Sequence, residues 1–395
     1  MSTISPSAEL IYLDNSATTP LCPAARARML AAMDCYGNPS STHAAGQAAH
    51  TLLETARREV GRGLGLNMLK PGELIFTACG SEADNLAILG SAYAKARRTA
   101  NRILTTDSEH PAVREPLAKL AREGFEVVEI PTRGGVLDLD AAEALMDERL
   151  FMITMMLVNN ETGARYPLEQ IFAAARRRAP QAILHCDAVQ GFLKTRFTAR
   201  SLGADMISLS AHKIGGPKGV GALWVDPKLL TAKRLIPTLL GGGQESGYRS
   251  GTENTVGIAG FGAAAAAGTD SFADDLARMQ TLREGFLSHL AAIAPEVRPN
   301  LPPQYAPHVI SLTMPRIKSE TMLNYLSRAG ICVSAGSACS AHAKNKTSSA
   351  LLAFGLTAHE ADSTIRVSLS SATTEAELTC AAEAIAEGVR TLIRF

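Results

Sequence analysis

The sequence predicts an α/β fold: a mostly parallel sheet covered by helices, followed by a smaller α+β unit. Short apolar segments alternate with alanine-rich segments of helical spacing over most of the chain. The apolar segments are nearly uninterrupted, which is typical of parallel strands buried on both faces. After residue 265 this alternation ends. We therefore expect a large domain over residues 16–265 and a small domain formed by residues 1–15 and 266–395.

The individual elements follow from this alternation. The strands predicted for the large domain are 73–78, 102–107, 125–130, 151–158, 181–187, 205–210 and 221–225. Segments of helical spacing lie between them. For the small domain we predict a helix near 271–293, strands within 308–314, 331–335 and 364–370, a helix near 319–329 and a last helix from Thr374.

Composition narrows the class of protein. The 395 residues contain 39 Lys and Arg against 38 Asp and Glu, a formal net charge of +1. This balance does not favour binding to nucleic acid or to a membrane surface. The first residues have no secretory pattern, and no apolar run reaches membrane-spanning length. The seven cysteines form no C-x-x-C pair. We expect free thiols, no metal site and a cytoplasmic protein.

Polar residues follow two of the predicted strands, where parallel sheets bind ligands. Gly80 and Ser81 open a helix after strand 73–78, either as a plain cap or as an anchor for a phosphate group. Asp187 ends strand 181–187, and a buried acid needs a cationic partner. The protonated ring nitrogen of pyridoxal phosphate is such a partner. Gln190 could then contact the ring oxygen, and His110 is either a stacking ring or a structural histidine.

A glycine-rich segment after strand 205–210 reads SLSAHKIGGPKGVGALW and contains two lysines. They are either solvated lysines of a surface turn or include an amine that reacts with a cofactor. A Schiff-base lysine needs a fixed backbone and partial desolvation. Lys213, beside His212 at the strand end, meets this need better than Lys218, which follows Pro217 in the loop. We predict Lys213 as the cofactor lysine.

Several longer motifs carry a family resemblance over nearly the whole chain. They are YLDNSATTP, GNPSSTHAAG, SEADNLA, EHPAV, VNNETG, HCDAVQ, SLSAHKIGGPKGVGALW, GGGQESGYRSGTENT, SAGSACSA and TIRVSLS. With these motifs the chain resembles the cysteine desulfurases of the class V aminotransferase family, in its NifS- and IscS-like branch. The resemblance implies a pyridoxal-phosphate-dependent transferase of fold type I, similar to aspartate aminotransferase.

The resemblance also implies a role for each matching residue. Lys213 would form the Schiff base, and the other residues implied to hold the cofactor are Gly80, Ser81, His110, Asn160, Asp187, Gln190, Ser210 and His212. Thr252 would reach the cofactor phosphate of a second subunit, which implies a homodimer with shared sites. Arg366, Asn38 and Asn160 would bind the substrate, with Arg366 on its carboxylate.

The resemblance makes Cys339 the sulfur acceptor among the seven cysteines. L-cysteine would be converted to alanine, leaving a persulfide on Cys339 that passes to an acceptor such as an iron–sulfur scaffold protein. His110 would serve as acid or base near the substrate sulfur.

Two other classes of function stay open from the sequence. A selenocysteine lyase or a class V transaminase would use Lys213 and Asp187 without needing Cys339. A scaffold without activity would need neither, although every chemical position is filled.

Overall fold

The computed structural model describes residues 10–94, 100–314, 316–336 and 347–392. The strands are β1 (Ile11–Tyr12), β2 (Leu74–Thr77), β3 (Arg102–Thr106), β4 (Glu126–Ile130), β5 (Leu150–Met156), β6 (Ile183–Asp187), β7 (Met206–Ser210), β8 (Gly221–Val225), β9 (Arg298–Asn300), β10 (Val309–Thr313), β11 (Ile331–Cys332), β12 (Ser334–Ala335) and β13 (Thr364–Ser368).

The helices cover the strands and connect them. They are α1 (Pro23–Met33), α2 (Ala44–Gly63), α3 (Gly80–Ala94), α4 (Pro111–Arg122), α5 (Leu139–Ala144), α6 (Leu168–Arg178), α7 (Ala199–Leu202), α8 (Pro227–Thr231), α9 (Thr255–Asp270), α10 (Phe272–Ile293), α11 (Ser319–Arg328), α12 (Ser349–Phe354), α13 (Ala358–Asp362) and α14 (Glu375–Leu392).

A seven-stranded sheet of order β2-β8-β7-β6-β5-β3-β4 forms the centre of the described chain. The β3–β4, β3–β5, β5–β6 and β6–β7 pairs are parallel. Strand β8 runs antiparallel to both of its neighbours, β2 and β7. This direction follows from the short glycine-rich connection between β7 and β8, since a parallel return needs a long crossover. The predicted α/β fold class is confirmed.

Alternate side chains of these strands enter two hydrophobic clusters on opposite faces of the sheet. In β2, Leu74 and Phe76 belong to the cluster that includes residues of α2, α6 and α9. Ile75, between them, belongs to the cluster that includes residues of α3 and α4. Burial on both faces explains why these strands read as continuous apolar runs.

A third hydrophobic cluster combines Leu13 with residues of α10, β10, α11, β13 and α14. The four-stranded sheet here has the order β12-β13-β10-β9, and β1 pairs with β11 in parallel. The N-terminal strand therefore packs with the C-terminal part of the chain. The predicted division at residue 265 falls inside α9, which continues to Asp270, and it stays a prediction.

In the ranges given above, no helix combines the length and the apolar character that crossing a membrane requires. Nor does any group of three or more His, Cys, Asp and Glu side chains in that part of the chain lie together in a way that would hold a metal ion.

Candidate active site

A cavity of about 260 Å³ opens at the carboxyl ends of β6 and β7, beside the start of α3. Nine residues predicted from the sequence line it: Gly80, Ser81, His110, Asn160, Asp187, Gln190, Ser210, His212 and Lys213. They come from connections after different strands and from the first turns of two helices. The parallel sheet brings them together because these strand ends meet at one edge.

Lys213 lies in a single 3-10 turn, Ala211–Lys213, directly after β7. Its Nζ donates hydrogen bonds to the carbonyl oxygens of Ser16, at 2.6 Å, and Ala17, at 2.9 Å. The side chain is partly buried, whereas Lys218 of the same loop is exposed. The structure therefore holds the Lys213 amine in the cavity in one orientation.

Asp187 is 6% exposed and occupies the last position of β6. Its Oδ1 accepts a hydrogen bond from the backbone N–H of Val189 at 2.9 Å. Burial raises the pKa of Asp187 to about 6, and the Val189 N–H and the Lys213 charge oppose this rise. The cavity thus contains a carboxyl group whose charge would be stabilised by a cationic ligand.

Two further buried carboxyl groups lie near Asp187. Asp84 lines the same cavity, and burial together with the charge of Asp187 raises its pKa well above the usual value. Glu109 accepts hydrogen bonds from Thr106 Oγ1 at 2.7 Å and from the backbone N–H of Met156 at 3.0 Å. Burial nevertheless raises the pKa of Glu109 to about 8. This side of the cavity therefore favours a positively charged group.

His110 caps the N-terminus of α4. Its Nδ1 accepts a hydrogen bond from the backbone N–H of Ala112 at 3.1 Å, so the neutral ring carries its proton on Nε2. Burial, and then the charge of Lys213, lowers the pKa of His110 to about 4. The imidazole is therefore neutral near pH 7, and its Nε2–H is the group that can donate to a ligand.

Ser210 and His212 flank the cavity on the Lys213 side. Ser210 Oγ is buried and has no hydrogen-bond partner among the described residues. His212 Nδ1 lies 3.2 Å from Thr18 Oγ1, and burial followed by the charge of Lys213 lowers its pKa to about 4. A buried hydroxyl without a partner at a cavity wall suits a ligand oxygen.

Gln190 is held between two parts of the chain. Its Nε2 donates to the Ser16 carbonyl oxygen at 2.8 Å, and its Oε1 lies 3.3 Å from His308 Nε2. A primary amide has two N–H donors, so one remains for a ligand oxygen in the cavity.

The start of α3 leaves no space for a larger residue than glycine at its first position. A Cβ on Gly80 would lie 2.8 Å from Val189 Cγ2 and 3.3 Å from Ser210 Cβ. The helix begins at Gly80, so Ser81 lies within its first turn rather than before it. The first backbone N–H groups of a helix have no partner within the helix, and Gly80 and Ser81 line the cavity, so this helix start favours an anion there.

Arg366 does not line the cavity but is joined to it through Asn160. The guanidinium is 2% exposed; its Nη1 donates to the Asn160 carbonyl oxygen at 2.8 Å and its Nη2 to Asp14 Oδ1 at 2.9 Å. Arg366 Nε has no partner in the described chain. The Arg366 cation, on β13 of the four-stranded sheet, therefore lies beside Asn160.

Besides Arg366, two predicted site residues are not among those that line the cavity. Asn38 is exposed, and its Oδ1 accepts a hydrogen bond from the backbone N–H of Ser40 at 2.9 Å. Thr252 is exposed on the loop before α9. Cys339 lies outside the described residues.

Sequence reasoning missed several residues of the site. The carbonyl oxygens of Ser16 and Ala17 hold Lys213, and Asp84 adds a third carboxyl beside Asp187 and Glu109. Ser16 and Ala17 lie inside the motif YLDNSATTP, one of the motifs that carry the family resemblance. This motif is the signal in the sequence that points to Ser16 and Ala17 as site residues.

The family match, the similar sequences and the similar solved structures agree with one another. Residues 11–380 match the family described as Aminotransferase class-V. A cysteine desulfurase of Trichormus azollae is 37% identical over 386 residues, covering 97% of this chain and 94% of the relative. A solved structure described as a NifS-like protein has a TM-score of 0.88 and 33% identity, covering 96% of this chain and 99% of that one. A structure described as SspA in complex with cysteine has a TM-score of 0.78 and 29% identity, covering 92% and 99%.

The chain belongs to the aminotransferase class-V family. Within it, the chain is similar to proteins named cysteine desulfurase, so the resemblance predicted from the motifs is confirmed.

Proposed function

We propose that this protein is a pyridoxal-phosphate-dependent cysteine desulfurase, which converts L-cysteine to L-alanine and retains the sulfur as an enzyme persulfide. One observation carries the proposal: the Lys213 amine and the Asp187 carboxyl, from the ends of neighbouring strands, line the same cavity. The cysteine desulfurase names of the relatives support the reaction.

The residues present fit pyridoxal phosphate on several counts. The buried Asp187 carboxyl has a raised pKa of about 6 and would pair with a protonated ring nitrogen. The unpartnered Ser210 Oγ and the start of α3 at Gly80 offer hydrogen-bond donors to a phosphate. Lys213 supplies the amine and Gln190 a free N–H for the ring oxygen. Ser81, His110, Asn160 and His212 complete the set that this chain contributes to the cofactor site.

When bound, the cofactor acts as an electron sink for charge on the substrate α-carbon. Asp187 keeps the ring nitrogen protonated by accepting its hydrogen bond. Lys213 takes the α-proton of the substrate and returns a proton later in the cycle. Arg366 binds the substrate carboxylate next to Asn160, with Asn38 assisting. His110, neutral near pH 7, moves a proton at the substrate sulfur.

The sulfur leaves on a cysteine of the enzyme. We assign this step to Cys339, whose thiolate bonds to the substrate sulfur as the substrate C–S bond breaks. The electron pair of that bond stays with the three-carbon fragment, which becomes alanine after protonation. The persulfide on Cys339 then passes to an acceptor protein for iron–sulfur cluster assembly or another thio-cofactor.

We assign the working form to a homodimer in which Thr252 completes the phosphate site of the second subunit. Thr252 is exposed in this chain, and Leu240, on the same loop, is 79% exposed. Ile236 and Leu239, shortly before it, are 39% and 46% exposed, and a group of exposed apolar side chains supports an interface where a single one would not. Mixing inactive Lys213→Ala protomers with Thr252→Glu protomers should restore activity, because hybrid dimers contain one intact site. Activity no higher than that of the separate variants would contradict shared sites.

We assign the protein to the cytoplasm, because its cysteines are consistent with a reducing compartment. In the described chain Cys22, Cys35, Cys79, Cys186, Cys332 and Cys380 are free thiols.

The test is incubation of the purified, cofactor-loaded protein with L-cysteine, with alanine and sulfide measured together. Cys339→Ala should lose nearly all sulfide release, while Cys380→Ala, an exposed cysteine on α14, should keep it. Full sulfide release by Cys339→Ala would contradict the desulfurase mechanism. Amino transfer without sulfide would indicate a transaminase, activity only on selenocysteine would indicate a lyase, and no turnover would indicate a scaffold.

A further inference from the structure

Glu161 follows the active-site residue Asn160, which lines the cavity. The backbone N–H of Glu161 donates a hydrogen bond to Asn159 Oδ1 at 2.9 Å. Asn159 is fully buried, and its Nδ2 donates to the Ser108 carbonyl oxygen at 3.1 Å. The backbone of Glu161 is therefore held in a fixed place next to the cavity.

The side chain of Glu161 contacts Ser348, which comes shortly after the segment 337–346 that contains Cys339. Ser348 Oγ donates to Glu161 Oε2 at 2.5 Å, a length typical of a hydroxyl bonded to an ionised carboxylate. Ser348 is buried and caps α12, where its Oγ accepts a hydrogen bond from the backbone N–H of Leu351 at 3.1 Å. One hydroxyl thus joins the Glu161 carboxylate to the start of this helix.

Gly336, directly before the same segment, packs against the same carboxylate oxygen. A Cβ on Gly336 would overlap Glu161 Oε2 and would lie 2.8 Å from Leu351 Cδ1, so only glycine fits here. Gly336 follows β12, which pairs with β13 so that Ser334 lies opposite Arg366. The chain on either side of the segment 337–346 therefore meets at one atom, Glu161 Oε2.

This contact has a cost that its partners reduce. Burying a carboxylate is unfavourable unless hydrogen bonds or charges compensate for the lost water. Burial raises the pKa of Glu161 to about 7, while the hydrogen bond from Ser348 and then the charge of Arg366 oppose this rise. What the carboxylate gains at this position is its contact with Gly336 and Ser348.

We propose that Glu161 is a positioning residue for Cys339: its carboxylate joins Gly336 to Ser348 and so sets where the chain between them begins and ends relative to Asn160. The inference rests on the proposed role of Cys339 as the sulfur acceptor. A thiol that must reach the substrate sulfur reacts faster when it is held close to it, and a misplacement of about 1 Å can cost on the order of a hundredfold in rate. Glu161 acts through these two anchors rather than on the reacting atoms.

The first experiment follows persulfide formation on Cys339 in a single turnover of the cofactor-loaded enzyme with L-cysteine, by mass spectrometry. It is done at about pH 8, where Glu161 is ionised. Glu161→Ala should form the persulfide about 10- to 100-fold more slowly, with an unchanged KM for L-cysteine. Glu161→Gln should stay within about threefold of the wild-type rate, because its amide oxygen can accept the hydrogen bond from Ser348.

Two serine variants separate the carboxylate contact from the capping of α12. Ser348→Asp keeps a good capping side chain but places a second carboxylate against Glu161, so it should be as slow as Glu161→Ala. Ser349→Ala is the matched control. It removes a neighbouring hydroxyl whose oxygen accepts a hydrogen bond from Arg114 Nη1 at 2.6 Å, and it should keep the wild-type rate.

The second experiment is hydrogen exchange on the full, cofactor-free chain, measured by mass spectrometry. In Glu161→Ala, peptides that cover residues 334–336 and 348–352 should exchange at least about tenfold faster than in the wild type, because the two anchors are no longer joined. Peptides from α14 should exchange at the wild-type rate. Unchanged exchange at the anchors would overturn the proposal.

Persulfide formation at the wild-type rate in Glu161→Ala would also overturn the proposal, even with faster exchange, and would make Glu161 a structural residue only. A raised KM with an unchanged rate would overturn it too, because Glu161 would then act through Arg366. If Glu161→Ala does not fold, Ser348→Asp decides, and a wild-type rate in that variant contradicts the proposal. Failure of the proposed function is a different result, in which the wild-type protein itself forms no persulfide on Cys339.

Discussion

The guanidinium of Arg57, on α2, holds both carboxylate oxygens of Glu245, at 2.8 and 2.9 Å. Glu245 Oε2 also accepts a hydrogen bond from the backbone N–H of Phe76 in β2, at 2.8 Å. Glu245 and Ser246 have φ values of 49° and 57°, a strained backbone. The pair ties the loop that carries Thr252 to the edge of the large sheet.

Breaking this pair should be strongly destabilising. Glu245→Ala removes the carboxylate that holds both terminal nitrogens of the buried Arg57 guanidinium. Among the described residues, the only ion pair of Arg57 that remains is the one between its Nε and Glu54 Oε1, at 3.0 Å, so we expect a loss of about 3 kcal/mol in the free energy of unfolding. Urea unfolding of the full chain measures it. Glu387→Ala, which removes an exposed partner of Arg390, should have little effect. A loss below about 1 kcal/mol for Glu245→Ala would contradict the importance of the pair.

Asp187→Asn should stabilise the cofactor-free protein while weakening cofactor binding. The pKa of Asp187 in the folded chain is about 6, above the usual value for an aspartate, so the fold favours its protonated form. Stability therefore falls as the pH rises through about 6, by on the order of 1–3 kcal/mol. The asparagine variant does not ionise and avoids this loss.

Thermal unfolding at about pH 8 and about pH 5 checks the Asp187 prediction, because the variant's advantage should shrink at the lower pH. Pyridoxal phosphate should bind the variant at least about tenfold more weakly. An advantage that does not change with pH would show that Asp187 is not the titrating group.

Gly80→Ala should weaken cofactor binding through steric crowding. The new Cβ would lie 2.8 Å from Val189 Cγ2, beside the residue pair that holds Asp187 in place. We expect a loss of about 1–3 kcal/mol in stability and weaker binding of inorganic phosphate, measured by calorimetry.

Gly285→Ala is the matched control for Gly80→Ala. A Cβ on Gly285, in α10, would meet nothing within 4 Å among the described residues, so this change should stabilise the helix by about 0.5–1 kcal/mol. Equal effects of the two substitutions would contradict the steric argument.

Arg366→Lys should raise the KM for L-cysteine by about ten- to a hundredfold, because lysine cannot hold a carboxylate through two parallel hydrogen bonds. Steady-state kinetics with separate kcat and KM values measures the effect. Arg298→Lys, at an exposed ion pair on β9, should leave KM unchanged. An unchanged KM in Arg366→Lys would remove Arg366 from the substrate site.

The strands could be predicted because burial on both faces leaves a direct trace in the sequence. Strand 221–225 agrees with β8 at both ends, and strand 205–210 begins one residue before β7. Asp187 and Lys213 could be predicted as site residues because parallel sheets bind ligands at the carboxyl ends of their strands.

The contacts that the sequence could not predict join residues far apart in the chain. The bond from Lys213 Nζ to the Ser16 carbonyl oxygen spans 197 positions, and a backbone acceptor has no side-chain signature. The Arg366–Asp14 pair spans 352 positions. The hydrogen bond from Ser348 to Glu161 spans 187 positions, and the motif VNNETG gives no sign of it.

The most direct measurement of the central claim is borohydride reduction of the cofactor-loaded enzyme, followed by digestion and mass spectrometry. The account predicts that the cofactor is found covalently attached to Lys213, with none on Lys218. Attachment to another lysine, or to none, would contradict it.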